Sequence, residues 1–560
     1  MTLPQMNYMK KKNTALRFIL RSSLPQLHNI IFMALIYGFN AFIAVYNTGF
    51  AKNLVDSAVG GDKNGLIYYA ILFFSVIVLQ IVTVVLSKKL VFVVQTKLEM
   101  SIRATLFKEM LNKDFSDITA YHSGELMNRL NGDVSVISSA ITSIIPSVVF
   151  FLVKIVGIFY ILFSIDVMFS LVFIAAGIVV FFGAWLFKPM TKRMHKDVQE
   201  SQGKVRSFMQ EALSSLLVIK TFNAQDKINA TSDSLQDDLY HKMRRRNNFS
   251  IVTSSGMSAL FSLGYVWGMI WGAFNILSGN ITYGTLTQII TLVGQISTPI
   301  VGLTGIFPTY FNALASAERI MEIESISDEE ERNEDADTDE LYRSMTSIEF
   351  DHISFSFDRD IVLDKTSLSI PKYSFTAIEG ISGIGKSTLM KLLLSVYQPQ
   401  QGEIYLQTND GKTYVDKNIR PLFSYVPQGN FLLSGTLREN IAFVRPDATD
   451  EEIMHAADVA CAAEFIRELP KGLDTLLTER GGGLSEGQVQ RVAIARAILS
   501  KSPVILLDEA TSALDEDTEL RLLQNLRNLQ DKTCIIISHK KAAEDFCDRV
   551  ITIDNKKIVS

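Results

Sequence analysis

Hydrophobic and polar positions divide this 560-residue chain into two halves of different character. Before residue 310 the apolar residues form long runs, whereas after it apolar and charged residues alternate over short distances. A bilayer core is crossed by a helix of about 20 apolar residues. Six runs of roughly that length predict membrane spans at residues 28–50, 66–87, 143–164, 167–187, 253–277 and 285–307.

Basic residues indicate how these spans cross the membrane. They precede the first span, at Lys10, Lys11 and Lys12, and recur in the polar segments 88–129 and 188–246, while the other loops are nearly free of them. Loops rich in lysine and arginine stay on the cytoplasmic side. The pattern therefore predicts a multi-pass integral membrane protein whose termini and two long polar loops are cytoplasmic.

Helical spacing of apolar residues continues beyond the predicted spans. It persists through residues 97–117 and 198–225. Helices that extend into the cytosol can transmit movement from a domain beneath them, or they can be passive stalks. Periodicity is compatible with both.

An acidic stretch, residues 322–341, separates the two halves. Its like charges repel and it has no hydrophobic face, so it predicts a solvated linker, with a regulatory role as the alternative. The expected domains are a transmembrane domain at 1–321, a linker at 322–346 and a second domain at 347–560.

Composition excludes some classes of function. The formal net charge is -5, and this near-neutral balance gives no reason to expect binding of nucleic acid. The three cysteines, Cys461, Cys534 and Cys547, have neither zinc-ligand spacing nor a pairing pattern, so we expect reduced thiols. The predicted spans exclude a soluble enzyme.

Residues 380–388, "GISGIGKST", follow a short apolar strand and precede a helical run. Strand, glycine-rich loop and helix form the context of a phosphate-binding loop, in which backbone N–H groups and the helix N-terminus face phosphate. Lys386 is placed to reach the β and γ phosphates, and Ser387 to ligate Mg²⁺. The candidate nucleotide ligands are Gly380, Ser382, Gly383, Ile384, Gly385, Lys386, Ser387 and Thr388.

A second element, "SPVILLDEATSALD", spans residues 502–515. Four apolar residues predict a buried strand that ends at Asp508 and Glu509. Asp508 is a candidate Mg²⁺ ligand, and Glu509 could polarise a water near the γ phosphate. Alone, two carboxylates at a strand end would more often form a turn or a helix cap.

In this order, the motifs resemble those of ATP-binding-cassette transporters of the exporter fold. The resemblance implies a half-transporter: a six-helix, all-α transmembrane domain of the type IV exporter fold, followed by an α/β P-loop nucleotide-binding domain. It implies ATP and Mg²⁺ as cofactors and a bacterial cell membrane as the location. It also assigns Gln428 to Mg²⁺ and catalysis, His539 to the γ phosphate, Phe357 to adenine stacking and Asp515 to a loop exchanged across a dimer.

The resemblance further assigns "LSEGQ", residues 484–488, to the family signature. In the family this helix start covers the ATP held by a second chain, so Ser485, Glu486, Gly487 and Gln488 imply a dimer. Glu486 replaces the usual glycine, as in some active members. The intact catalytic residues favour a homodimer, and a heterodimer with a second half-transporter is the alternative.

Export of a peptide, drug-like molecule or lipid, driven by alternating access, is the expected function. Import of metal-chelating small molecules and ATP-gated regulation of a partner are the alternatives. Lys154 stands mid-span, where charge is costly, and either lines the pathway or has a structural role. Other candidates for the pathway are Tyr37, Asn40, Gln288, Thr291, Gln295 and Thr298, which could equally bond to neighbouring helices.

Overall fold

The computed structural model describes residues 14–329, 337–357, 360–429, 432–478, 481–529, 531–554 and 557–559, without the side chains of 176, 179–186, 188, 304, 557 and 559. Contacts divide the chain into two compact units. The first, the membrane unit, comprises Met1–Met110 and Ser123–Ser325; the second, the nucleotide unit, comprises Leu111–His122 and Ile326–Ser560.

Six long helices form the described part of the membrane unit. They are α1 (Leu27–Val59), α2 (Lys63–Asn112), α3 (Val134–Ile165), α4 (Val167–Ser214), α5 (Gln225–Leu277) and α6 (Tyr283–Glu324). All except α4 meet the length and hydropathy of a membrane span among the described residues. The fourth predicted span lies in α4, where several side chains are outside the described residues. The predicted helical membrane domain is confirmed.

Helices α1 and α3 run parallel and approach closely at small residues. A Cβ atom added at Gly38 would lie 3.2 Å from Val149, and one added at Gly157 would lie 3.4 Å from Val45. Without a hydrophobic force between helices in lipid, such close backbone packing stabilises their association. These contacts fix the register of α1 against α3.

A buried polar network joins the start of α3 to α6. Asp133 is buried, and its carboxylate accepts hydrogen bonds from Ser316 Oγ at 2.9 Å and from Arg319 Nε at 2.9 Å. The Arg129 guanidinium donates to the Arg319 backbone carbonyl and pairs with Glu125. Removing one partner would leave a buried charge unpaired, so the network holds these two helix ends together.

The long helices extend well past the apolar runs, as the periodicity predicts. α2 ends at Asn112 and is followed by short helices at Phe115–Ile118 and Ser123–Asn128, and α4 is followed by a short helix at Leu216–Thr221. Leu111–His122 groups with the nucleotide unit. There the Phe115 ring lies 6.0 Å from that of Tyr397, and Lys113 Nζ donates to the Ile326 carbonyl at 2.8 Å.

Part of the acidic stretch forms a helix, although the sequence predicts a solvated linker throughout. α7 (Thr338–Ser344) begins at Asp337, whose carboxylate accepts from the backbone N–H groups of Asp339 and Glu340. Tyr342 is buried and donates to the Asp531 carbonyl at 3.0 Å. One aromatic anchor and one N-cap therefore stabilise this short helix; residues 330–336 lie outside the described residues.

Two main sheets form the nucleotide unit. The antiparallel sheet has the strand order β2-β1-β4-β5, and the larger sheet has the order β12-β11-β3-β10-β9-β6. The strands are β1 (Met345–Phe357), β2 (Asp360–Pro371), β3 (Phe375–Gly380), β4 (Gln401–Thr408), β5 (Gly411–Tyr414), β6 (Phe423–Val426), β7 (Gly435–Thr436), β8 (Leu476–Leu477), β9 (Val504–Asp508), β10 (Thr533–Ile537), β11 (Arg549–Asp554) and β12 (Lys557–Val559).

Helices cover the larger sheet, whose central strands are apolar on both faces. The helices are α8 (Lys386–Leu393), α9 (Leu437–Ile441), α10 (Asp450–Val459), α11 (Ala463–Glu468), α12 (Glu486–Leu499), α13 (Glu516–Asn528) and α14 (Lys541–Phe546). All residues of β9 and β10 are buried. Ile505 and Leu507 face one hydrophobic cluster, while Val504 and Leu506 face the other. Continuous apolar runs are typical of parallel strands covered on both sides.

Candidate functional site

The candidate site lies where the parallel strands of the larger sheet end. β3, β10, β9 and β6 are parallel neighbours, with Ile537 level with both Ile378 and Asp508. Their carboxyl ends therefore meet at one edge of the sheet, the usual ligand position in an open α/β fold. This edge brings together the phosphate loop, Asp508, Glu509, His539 and Gln428.

The phosphate loop requires glycine where its backbone turns. Gly385 has φ +112°, and a Cβ atom there would lie 2.6 Å from a Val362 methyl group. Glycine adopts this φ without strain and leaves room for the close approach. The turn directs the chain into α8, so that Lys386 and Ser387 occupy its first turn.

Lys386 is held inside this loop. Its side chain is buried, and Nζ donates to the Gly380 carbonyl at 2.7 Å and to His539 Nε2 at 3.1 Å. Burial lowers the pKa of the ammonium group, while Glu509 and Asp508 oppose that shift. The loop therefore fixes a positive charge close to two carboxylates.

Asp508 is buried, with 1% of its surface exposed, and each carboxylate oxygen accepts a hydrogen bond. Ser387 Oγ donates to Oδ1 at 2.9 Å and Tyr425 OH donates to Oδ2 at 2.9 Å. Burial raises the pKa of Asp508, and the two hydrogen bonds lower it. The structure thus adds Tyr425, which the sequence analysis missed because "FSYV" indicates only a strand.

The three predicted catalytic residues lie together. Gln428 Nε2 donates to Glu509 Oε2 at 2.6 Å, and His539 Nε2 lies 3.4 Å from Glu509 Oε1. Glu509 has the left-handed φ of +51°, and its backbone N–H donates to the Ile537 carbonyl at 3.0 Å. A non-glycine residue in this region is costly and often functional. The turn aims the carboxylate toward the phosphate-loop side of the strand edge.

Other predicted nucleotide ligands surround this centre. Ser382 is exposed and Thr388 is buried in the first turn of α8. The Phe357 ring is 44% exposed and packs edge-on against Phe355 at 4.9 Å and Tyr397 at 5.3 Å. A ring that is supported from behind and open on one side is suited to stacking with a base.

The signature residues form the start of α12. Ser485 Oγ accepts from Gln488 N at 3.3 Å, and Gln488 Oε1 accepts from Ser485 N at 2.9 Å, a reciprocal capping box. Ser485 and Glu486 are exposed. The carboxylate of Glu486 therefore extends from the helix without a packing cost. A Cβ atom at Gly487 would lie 2.9 Å from the Ala513 carbonyl, which explains the glycine there.

Signature and phosphate loop remain separate within one chain. Among the described residues, no hydrogen bond joins residues 484–488 to residues 380–388. Asp515 caps α13, accepting from Thr518 N at 2.9 Å. The exposed helix start is therefore available to a ligand that its own chain does not hold.

Three of the predicted pathway residues, Asn40, Gln288 and Thr291, form hydrogen bonds inside the membrane unit. The Asn40 amide donates to the Ile36 carbonyl at 2.9 Å and accepts from Thr83 at 2.7 Å. The Gln288 amide donates to Thr48 Oγ1 at 3.3 Å. The bond between Asn40 and Thr83 joins α1 to α2, and the bond between Gln288 and Thr48 joins α6 to α1, whereas the bond to Ile36 lies within α1. Of the remaining candidates, Tyr37 is half-buried beside Phe150, Thr291 donates to Thr287 of its own helix and Thr298 is exposed.

Lys154 differs from these residues. Its side chain is 8% exposed, and its ammonium nitrogen lies 5.6 Å from the centroid of the Phe150 ring. A cation–π contact contributes about 0.5–2 kcal/mol. Placing a lysine at the bilayer centre costs ~2.5–3.5 kcal/mol on insertion scales. The ring alone therefore does not offset the cost of this charge.

Comparison with known proteins agrees with the geometry. The family described as ABC transporter transmembrane region matches residues 28–300, and the family described as ABC transporter matches residues 363–512. An ATP-dependent lipid A-core flippase of Desulfotalea psychrophila is 31% identical over 464 residues, covering 82% of this chain and 80% of that protein. The chain belongs to the ABC transporter family. The predicted family is confirmed.

The ABC transporter has further relatives of similar extent. A flippase of the same description from Haemophilus ducreyi is 29% identical over 523 residues, covering 91% of this chain and 88% of that protein. A bacterial Atm1-family ABC exporter, solved with ATP bound, superposes with a TM-score of 0.76 at 25% identity, covering 96% of this chain and 95% of the other. The transporter is a multi-pass membrane protein that binds ATP and couples its hydrolysis to transport, and the predicted exporter fold is confirmed.

Proposed function

We propose that two copies of this chain form a homodimeric exporter in a bacterial cell membrane. The observation that carries this proposal is the exposed start of α12, which lies apart from the phosphate loop of its own chain. Ser485 and Gly487 of one copy would cover the ATP held by Lys386 of the other. ATP would close the dimer, and hydrolysis would reopen it.

Each domain predicted from the sequence would have its own role in transport. Residues 1–321 would form the translocation path, 322–346 the connection and 347–560 the ATPase, with both termini and the ATPase on the cytoplasmic side. Basic residues in the segments 88–129 and 188–246 support this orientation. The grouping of Leu111–His122 with the nucleotide unit supports a route for movement between the ATPase and the helices.

The site residues fit a magnesium nucleotide. Ser387 Oγ and the Asp508 carboxylate are adjacent oxygen donors, which are the ligands Mg²⁺ prefers, and Gln428 can supply a third. The metal would neutralise phosphate charge. Lys386 would hold the β and γ phosphates, His539 would contact the γ phosphate and Phe357 would stack on adenine. Glu509, oriented by Gln428, would accept the proton of the attacking water.

The relatives suggest the class of substrate. Two of them carry the description lipid A-core flippase, which favours a lipid or another amphiphile over a hydrophilic peptide. Import and ATP-gated regulation, the alternatives from the sequence, have no residue in the described structure that favours them.

Direction is tested in sealed inside-out vesicles, where the ATPase faces the medium. We expect ATP to drive a fluorescent amphiphile into the lumen, with no accumulation by the Glu509→Gln variant. ATP-dependent loss of preloaded probe from the lumen would indicate import instead. No movement with active ATP turnover would favour regulation.

Tyr425 provides a separate test of the metal site. Tyr425→Phe removes one hydrogen bond to the buried Asp508 carboxylate, a loss of about 1–3 kcal/mol. We expect the Mg²⁺ concentration for half-maximal ATP turnover to rise at least about fivefold. Tyr373→Phe, which changes an exposed tyrosine just before β3 at the end of that strand away from the phosphate loop, should leave this Mg²⁺ concentration unchanged. An unchanged Mg²⁺ dependence in Tyr425→Phe would contradict the assignment.

A further inference from the structure

Lys154 is a cation in the middle of the membrane unit and has no opposite charge beside it among the described residues. It is buried, with 8% of its surface exposed. Within the described part of the chain its ammonium group makes neither a hydrogen bond nor an ion pair, and it lies over the Phe150 ring. Charges at this depth face a partner or a wet cavity. The position therefore lacks an anion.

Helix register gives the depth of Lys154. Val45 of α1 packs against Gly157 of α3, and the two helices are parallel. Three residues earlier on each helix stand Phe42 and Lys154, which are therefore at the same level. Since α1 spans Leu27–Val59, that level is near the midpoint of the helix.

The same register places a second unsatisfied group at this level. α6 runs antiparallel to α1. A Cβ atom added at Gly49 of α1 would lie 3.8 Å from Gln288 Nε2 of α6. Because the two helices are antiparallel, counting seven residues back along α1 and seven residues forward along α6 leads to Phe42 and Gln295, which lie at a similar level. Gln295 Oε1 is buried and has no hydrogen-bond donor among the described residues. Lys154, which offers donors, and Gln295, which offers an acceptor, thus lie within about one helical turn of each other along the bundle without bonding to each other.

Several side chains near this layer are apolar or aromatic. Phe150 and Tyr37 pack edge to face one turn away, and Ile158 is fully buried on the next turn of α3. A hydrated free ion would gain little from such walls, whereas an acyl chain would pack against them. The ligand that fits combines an anionic oxygen for Lys154, a hydroxyl donor for Gln295 and an apolar body.

We propose that Lys154 and Gln295 form a subsite for the anionic headgroup of an amphiphilic substrate. This assignment rests on the proposed export function for its physiological meaning, since it names the substrate of that path. The subsite itself is a binding property of the folded chain and can be measured without ATP.

Binding is measured on the full-length protein in nanodiscs with fluorescent lysophosphatidic acid, which carries phosphate and a glycerol hydroxyl. The matched probe is a monoacylglycerol with the same acyl chain and no phosphate. We expect Lys154→Met to weaken binding of the phosphate probe at least about tenfold and to leave the neutral probe unaffected. Lys154→Arg should retain most of the affinity, because it keeps the charge. Lys89→Met, which removes an exposed lysine of α2, should match the unchanged chain.

Three results would overturn the subsite. The first is unchanged binding of the phosphate probe to Lys154→Met, and the second is an equal loss of affinity for both probes. The third is full displacement of the phosphate probe by inorganic phosphate that binds as tightly as the probe does. The last would mean that a free anion, not an amphiphile's headgroup, occupies the site. Gln295→Leu should weaken the phosphate probe less than Lys154→Met does, since it removes only an uncharged hydrogen bond.

Transport separates the two proposals. If the phosphate probe binds through Lys154 but ATP drives no movement, the export function fails and the subsite stands. If the unchanged chain exports the probe and Lys154→Met exports it equally well, the subsite fails and the export function stands.

Discussion

Replacing Glu509 by glutamine should lower ATP turnover by about 10²–10⁴-fold, the contribution typical of a general base. Glutamine preserves the shape of the side chain and a hydrogen bond with Gln428, which donates to Glu509 at 2.6 Å. It cannot accept a proton from water. Because Lys386 and Ser387 are unchanged, ATP affinity should stay close to that of the unchanged chain. Turnover and equilibrium ATP binding are measured on the same nanodisc preparation.

Glu468→Gln is the matched control for this experiment. Glu468 is exposed at the end of α11, outside the strand edge that forms the site, so its substitution should not alter turnover. A Glu509→Gln variant that hydrolyses ATP at the rate of the unchanged chain would show that another group receives the proton. A variant that loses ATP affinity as well would assign Glu509 to binding.

The slow variant also reports on the dimer. With hydrolysis blocked, ATP should hold two copies together with the phosphate loop of one facing the α12 start of the other. Cysteines introduced at the exposed positions Ser382 and Ser485 in the Glu509→Gln chain should then form an ATP-dependent disulfide between copies. Either cysteine alone should not, which controls for the native thiols. Absence of the crosslink with bound ATP would contradict the proposed dimer.

Local signals explain which parts of this fold could be predicted from sequence. Span length is a property of one apolar run, and the phosphate loop is a glycine spacing between a strand and a helix. Both signals lie within a few tens of residues. The strand that ends at Asp508 is likewise indicated by four consecutive apolar residues. The helical membrane domain and the α/β domain therefore follow from the printed sequence.

Pairing between distant segments explains much of what was missed. Tyr425 reaches Asp508 because β6 and β9 are parallel neighbours with Tyr425 level with Leu506. No spacing along the chain specifies that neighbour. The short helix α7 was missed for a related reason, since Tyr342 is anchored by Asp531, far along the sequence. The acidic residues before Tyr342 dominate the hydropathy pattern of this segment, which therefore indicates a solvated linker.

The polar stripe of α6 shows the same limit inside the membrane. Gln288, Thr291, Gln295 and Thr298 share one face of a helix by spacing, yet Gln288 is buried and Thr298 is exposed. α6 packs against α1 near Gln288, so burial along the stripe depends on the neighbouring helix. Spacing predicts the face; only the packing distinguishes a bonded amide from one left without a partner.

Replacing Lys386 by alanine should reduce ATP affinity itself, in contrast to Glu509→Gln. The buried ammonium is fixed by the Gly380 carbonyl and His539, and it is the positive side chain of the loop that would face the phosphates. Removing one charged partner of a buried pair costs about 2–5 kcal/mol, so we expect the dissociation constant for ATP to rise about 30-fold or more. Turnover should fall with it.

The comparison uses Lys412→Ala as control, because Lys412 lies over the Tyr405 ring in the antiparallel sheet, away from the phosphate loop. Titration of a fluorescent ATP analogue gives the dissociation constants of the unchanged full-length chain and of the Lys386→Ala and Lys412→Ala variants. If Lys386→Ala bound the analogue as tightly as Lys412→Ala, backbone N–H groups alone would account for phosphate binding. If affinity falls in Lys386→Ala and persists in Glu509→Gln, the two residues act at different stages: the lysine holds the nucleotide, and the carboxylate enables its hydrolysis.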